Sequence, residues 1–256
     1  MPTPKPISEQ FVRALQVVRE RIPDASRYPY TLPAVRALIE AEVALHPQVT
    51  FFVGENGSGK STILEALAVA AGLNAEGGSR NFNFATRSSE SDLVASLRLV
   101  RGTRRPRDSF FLRAESYFNV ATQIERLDAE PASGPPIIDS FGGRSLHEQS
   151  HGESFFALLQ HRFRGNGFYV LDEPEAALSP QRQLAFLTRL HDLVRQRSQV
   201  VIATHSPILM AYPHARLLRL GEDGIHEVAY EDTEHFQVTR SFLQRRQRML
   251  DELLRD

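Results

Sequence analysis

Three short apolar runs set the frame of this chain: Val49–Val53 (VTFFV), Phe168–Leu171 (FYVL) and Val200–Ala203 (VVIA). None alternates with polar residues, so each predicts a strand buried on both faces of a parallel sheet. Apolar residues at helical spacing fill the stretches between them. Ile63, Leu64, Leu67 and Ala71 predict a helix over 61–71; Leu184, Leu187, Leu190 and Val194 predict another over 181–197; a third is expected over 153–162. Phe11, Leu15 and Val18 share one helical face, which predicts an amphipathic helix over 11–21, closed by Pro23. A short helix or strand follows over 34–45. Residues 92–100 and 109–113 predict a β-hairpin joined by an arginine-rich turn, and the Pro-, Gly- and Ser-dense stretch 128–143 predicts a long loop. A hairpin near Gly221–Gly224 and a charged helix over 239–254 complete the series. Strands alternating with helices, without an internal repeat, predict an α/β fold with a mainly parallel sheet flanked by helices.

Composition narrows this little. The 256 residues suffice for one α/β domain, and the formal net charge of −1 gives no global attraction to nucleic acid or an anionic membrane. Without cysteine, disulfides and thiolate metal sites are excluded. The polar, Pro-rich residues 1–10 lack the apolar core of a secretory signal, and no apolar stretch approaches the ~20 residues a membrane-spanning helix needs. A cytoplasmic location without membrane insertion is the expectation.

The polar ends of the strands carry the chemistry. Gly54-Glu55-Asn56-Gly57-Ser58-Gly59-Lys60-Ser61-Thr62 follows the first strand and fits G-x-x-x-x-G-K-[ST]. Glycines let the backbone curl so that successive N–H groups point at phosphate oxygens, and the following helix adds its positive N-terminal end. In that pattern Lys60 reaches the β- and γ-phosphates and the Ser61 hydroxyl ligates Mg²⁺, with ATP as the substrate. The second strand ends in Asp172-Glu173: Asp172 is placed to hold Mg²⁺, Glu173 to polarise an attacking water. The third ends in Thr204-His205-Ser206-Pro207, where His205 can sense a γ-phosphate. Taken singly, an acidic strand end or a strand-end histidine is as readily structural; their order after a P-loop makes them a constellation.

Together these motifs resemble the ABC-type ATPases. Gln149-Ser150-His151-Gly152-Glu153 is similar to that family's signature, with His151 in place of a glycine; it also reads as a capping box. The resemblance implies that Ser150, His151, Gly152 and Glu153 bind the γ-phosphate held by a second copy, so that ATP drives homodimerisation. Residues 174–180 take the place of the D-loop, with Ser179 where the family has aspartate. Glu115 is the residue nearest the position expected of the Mg²⁺-sensing glutamine, and Tyr28 or Tyr30 is the candidate for packing on adenine, core packing being the other role open to each. The Asp-Glu-Pro-Glu run and the Thr-His-Ser-Pro ending resemble the RecF/SMC/OLD side of the superfamily, and the whole chain resembles small stand-alone bacterial ATPases. Only about 90 residues separate the P-loop from the signature, too few for a long coiled coil.

The implied organisation is one ATPase head over 1–256, divided into an N-terminal helix and strand (1–45), a P-loop unit (46–75), a hairpin, loop and signature helix (76–165) and a final part with the carboxylate pair, the histidine and the C-terminal helix (166–256). Three functions remain open: a dimerising ATPase switch linked to DNA repair or genome maintenance and acting on an unknown protein partner; the nucleotide-binding subunit of a transporter; and a nucleic-acid switch using Arg98, Arg101, Arg104, Arg105 and Arg107, with a second arginine cluster at Arg240, Arg245, Arg246 and Arg248.

Overall fold

The structure is a computed structural model, and it describes residues 10–75, 77–78, 92–114, 122, 124–128, 136, 138–139, 143 and 151–255. The three apolar runs form β3 (Val49–Val53), β6 (Gly167–Asp172) and β7 (Gln199–Ala203). With β5 (Asp108–Arg113), β8 (Arg216–Gly221) and β9 (Gly224–Glu227) they make a six-stranded sheet in the order β5-β6-β7-β3-β8-β9, parallel except for the last pair. Successive residues feed opposite cores. Tyr169, Leu171, Val200 and Ile202 join one apolar cluster with Phe155 and Leu190, while Phe168, Val170, Val201 and Ala203 join another with Leu64 and Leu67. Burial of alternate side chains on both faces is why these strands read as unbroken apolar runs.

Helix α2 (Lys60–Ala70) covers one face beside α1 (Pro33–Glu40). On the other lie α4 (His151–His161) and α5 (Pro180–Arg195), the latter capped by Ser179 Oγ, which accepts from Arg182 N. Further helices are α3 (Leu93–Ser96), α6 (Pro207–Met210), α7 (Glu234–Gln244) and α8 (Arg246–Leu253). Among the described residues no helix is long and apolar enough to cross a membrane.

Three expectations fail. Residues 11–21 contain a strand, β1 (Val12–Val17), in place of a helix; a bulge between Val12 and Ala14 breaks its alternation, so its apolar spacing mimics a helical face. The buried Gln199 amide holds this strand, accepting from Phe11 N and Val12 N and donating to the carbonyls of Val12 and His46. The predicted hairpin is not formed: β4 (Leu97–Arg101) pairs with β1 in an antiparallel β2-β1-β4 sheet (β2 is Val43–Ala44), whereas β5 joins the parallel sheet beside β6. An antiparallel unit is therefore present, with different strands. The C-terminal helix starts earlier than expected, at Glu234, and is broken at Arg245 (φ −130°) into α7 and α8.

Candidate functional site

The P-loop, Asp172, Glu173 and His205 all lie at the C-terminal edge of the parallel sheet. Register brings the strand ends level, pairing Arg113 with Asp172, Asp172 with Ala203, and Phe52 with Ala203. The chain leaves β3 at Gly54 (φ 146°), where a Cβ would lie 2.3 Å from the Leu220 carbonyl oxygen; only glycine fits there. Gly57 (φ 81°) and Gly59 (φ 95°) continue the curl into α2. The Lys60 Nζ folds back and donates to the carbonyls of Gly54 and Glu55, each at 2.8 Å. Burial lowers the Lys60 pKa, an effect opposed by the nearby Glu173, Asp172 and Glu175.

Ser61 Oγ donates to Asp172 Oδ1 at 3.0 Å, and Asp172 is almost fully buried. Its other oxygen lies 3.3 Å from Arg113 Nε, while Arg113 Nη1 donates to Glu65 Oε2 at 3.0 Å. Arg113 belongs to no motif; its place at the end of β5, in parallel register with β6, brings it to Asp172 where a β4–β5 hairpin would not. Next to Asp172, Glu173 adopts a left-handed backbone (φ 50°), a strained conformation for a non-glycine residue, and donates its N–H to the Ala203 carbonyl at 3.0 Å. Its carboxylate lies 3.6 Å from His205 Nε2, a buried nitrogen without a hydrogen-bond partner.

Two further residues hold His205. Glu175 Oε1 accepts from His205 N at 2.5 Å, and burial pushes the Glu175 carboxyl up from its ordinary value. His235, on α7, places Nε2 3.0 Å from His205 Nδ1. Burial, and then the Lys60 charge, lower the His205 pKa, so the ring is neutral near pH 7. His235 lies outside every motif, and only the fold could reveal it.

A cavity of about 170 Å³ lies against the P-loop, with Tyr28, Asn56, Lys60, Thr62 and Glu173 in its wall. The exposed Tyr28 has its hydroxyl 2.8 Å from Thr62 Oγ1; Tyr30 is a core residue bonded to the Asp92 carbonyl and Ser96. Of the two aromatic candidates, only Tyr28 faces this cavity. A cavity of about 670 Å³ lies on the other flank of the P-loop, between Gly54–Ser58 and His235.

Ser150 and Glu115 lie outside the described residues, as does the side chain of His151. Gly152 sits in the first turn of α4, where a Cβ would come 2.8 Å from the Ala177 carbonyl oxygen and 2.4 Å from Arg182 Nη1. Glu153 is exposed and pairs with Arg182 at 3.4 Å. The helix start is therefore packed onto the 3₁₀ turn Pro174–Ala177 that follows Glu173. The five arginines expected in a hairpin turn lie in β4 and its connection to β5, toward the opposite edge of the sheet. Arg98 donates to Gln16, Arg101 to the Ala70 carbonyl, and Arg104 to Asn166 while lying over Phe11; Arg105 and Arg107 are exposed.

The donor set fits magnesium held mainly by its substrate. Ser61 and Asp172 offer adjacent hard oxygens, and among the described residues no group of three or more His, Cys, Asp or Glu could cage an ion. That is the pattern of an ion bound by one or two protein oxygens together with phosphates and water.

Comparison with known proteins agrees with this geometry. Residues 31–127 match a family model described as "AAA domain", and residues 142–211 match one described as "AAA domain, putative AbiEii toxin, Type IV TA system". The ABC transporter G family member STR2 of Medicago truncatula is 25% identical over 189 residues, 68% of this chain; the chain spans only 26% of that relative's length. A solved structure described as "An inward-facing conformation of a putative metal-chelate type ABC transporter" aligns with TM-score 0.52 at 16% identity, covering 90% of this chain and 88% of that one. The SMC head domain from Thermotoga maritima aligns at TM-score 0.39 and 18% identity, covering 73% and 92%. Motif, sheet order and matches converge on a P-loop fold: AAA-domain models match two segments of the chain, and its architecture is similar to that of the ABC transporter structure above.

Proposed function

We propose that the chain is an ATP-driven switch in which two copies close head to tail around bound nucleotide and part after hydrolysis. The observation that carries the chemistry is the facing pair of the Glu173 carboxylate and the unpartnered His205 Nε2, 3.6 Å apart beside the P-loop lysine. Lys60 and the backbone N–H groups of residues 54–62 neutralise the phosphates. Glu173 orients the attacking water and takes its proton, while His205 donates from Nε2 to the terminal phosphate. Ser61 and Asp172, with Glu115 as a further candidate, would hold magnesium, which would supply charge neutralisation of the phosphates. The signature-like residues Ser150, His151, Gly152 and Glu153 complete the site of the other copy. Packing of Gly152 on the turn after Glu173 supports this, because it ties the signature helix to the hydrolytic residues of its own subunit. ATP contacts both subunits only in the closed state and so shifts the population toward it. Replacing Glu173 by Gln is expected to cut turnover about 100-fold or more with ATP binding retained; a variant that hydrolyses at the wild-type rate removes Glu173 as the base.

The relatives support a second reading. Two of the proteins described above are ABC transporters, and a nucleotide-binding subunit would dock on a membrane protein supplied by another chain. Co-purification of one integral membrane protein in detergent supports that reading; its absence favours the free switch. A DNA client, and with it a link to DNA repair, draws on the exposed Arg105 and Arg107. Turnover stimulated by DNA and lost steeply with added salt supports it, and no stimulation removes it.

A further inference from the structure

His205 has a second ring partner that no motif supplies. His235, in the first turn of α7, lies with Nε2 3.0 Å from His205 Nδ1, the ring centroids 5.2 Å apart. This turn is fixed to the His205 loop by independent contacts. The Tyr230 hydroxyl donates to the Pro207 carbonyl at 3.0 Å, its ring packs on Phe236 at 4.7 Å, and Thr233 caps α7 by accepting from Phe236 N. His235 is therefore held in place, not merely nearby.

Burial lowers the pKa of both rings; Lys60 acts further on His205, and His205 and Lys60 act further on His235, against the opposing Glu173, Glu234 and Glu175. Two neutral rings share one proton across the N···N contact, in one of two arrangements. If His205 donated from Nδ1, its bare Nε2 lone pair would face the Glu173 carboxylate at 3.6 Å, an electrostatic clash. If His235 donates, His205 carries its proton on Nε2, pointing at Glu173. We propose that His235 is a positioning residue: it donates Nε2–H to His205 Nδ1 and so holds His205 in the tautomer that can donate to the terminal phosphate. This rests on the reading that His205 faces that phosphate. It also ties the C-terminal helices α7 and α8 to the hydrolytic site, because displacing the first turn of α7 removes the donor.

The test reads the tautomer directly, by nitrogen-15 NMR of histidine-labelled full-length protein without nucleotide, with the His205 signals assigned by their loss in His205→Gln. His205 is expected as the Nε2–H tautomer in the wild type and as a mixture in His235→Phe. Turnover of His235→Phe is expected to fall about tenfold, the worth of one hydrogen bond, at unchanged ATP affinity. His235→Gln, whose amide still donates, is expected to recover most of that loss. An Nδ1–H tautomer in the wild type overturns the proposal, as does a folded His235→Phe protein with unchanged tautomer and turnover. If His235→Phe fails to fold, the wild-type spectrum still decides. If instead the hydrolysis reading is wrong, turnover disappears as a readout but the tautomer does not.

Discussion

The two edges of the parallel sheet are built on opposite rules. At the N-terminal edge, most of the described buried polar groups are paired, Arg216 Nε being the exception. The Gln199 amide makes four hydrogen bonds, and the Tyr169 hydroxyl lies 2.9 Å from Asp108 Oδ2 and accepts from Arg164 N at 2.7 Å, while Arg162 reaches the same aspartate. At the C-terminal edge, pairing is left incomplete. Of the five buried side-chain atoms without a hydrogen-bond partner among the described residues, four lie there: Ser58 Oγ, Arg113 Nε, Glu175 Oε2 and His205 Nε2. The left-handed Glu173 lies among them. Each such defect costs roughly 1–3 kcal/mol and persists only where the rest of the fold imposes it. One edge thus holds the sheet together, and the other keeps unpaired groups beside the P-loop, where the proposed reading puts the nucleotide.

Substitutions at the two edges are therefore expected to separate function from stability. The largest effect is that of Lys60→Ala: ATP affinity by calorimetry falls about 10- to 100-fold, the worth of a charge-assisted hydrogen bond, while the urea midpoint is unchanged or rises because a buried cation has gone. A clear loss of stability would break the contrast. Next comes Gln199→Leu, which strands the Phe11 and Val12 N–H groups; unfolding is expected to become easier by about 2–4 kcal/mol with ATP affinity within about twofold. A smaller effect, of opposite sign, is expected from Glu175→Gln. The folded-state pKa of Glu175 is raised, so the wild type loses stability as pH rises through that value; the glutamine protein gains a higher urea midpoint there, and the gain disappears below the ordinary carboxylate range. The smallest effect concerns the histidine pair. Both folded pKa values are depressed, so the unfolded chain takes up protons first as pH falls below about 6.5, and stability declines until the folded rings protonate too. Replacing both rings by glutamine is expected to flatten thermal stability between pH 7 and that lower limit; an unchanged slope would contradict the depressed values.

How much of this the sequence revealed depended on the range of the interactions. The P-loop, Asp172, Glu173 and His205 were legible because each lies where a buried strand ends, and the strands are local patterns. Helix α5 was legible from its spacing alone. Strand β1 was not, because a bulge gave it helix-like apolar spacing and its anchor, Gln199, is 187 residues away. The β4–β5 hairpin failed for a related reason: local proximity suggested pairing, but β5 aligns in parallel with β6 and thereby places Arg113 beside Asp172. His235 and Glu175 each contact His205, a relation carried by tertiary packing.

The most direct test of the switch is the mass of the Glu173→Gln protein in solution, measured by light scattering with Mg-ATP and with Mg-ADP. A dimer in ATP that reverts to monomer in ADP, and that is lost again when Ser150 is replaced by Arg, is the predicted result. A monomer that binds ATP tightly would contradict the shared site.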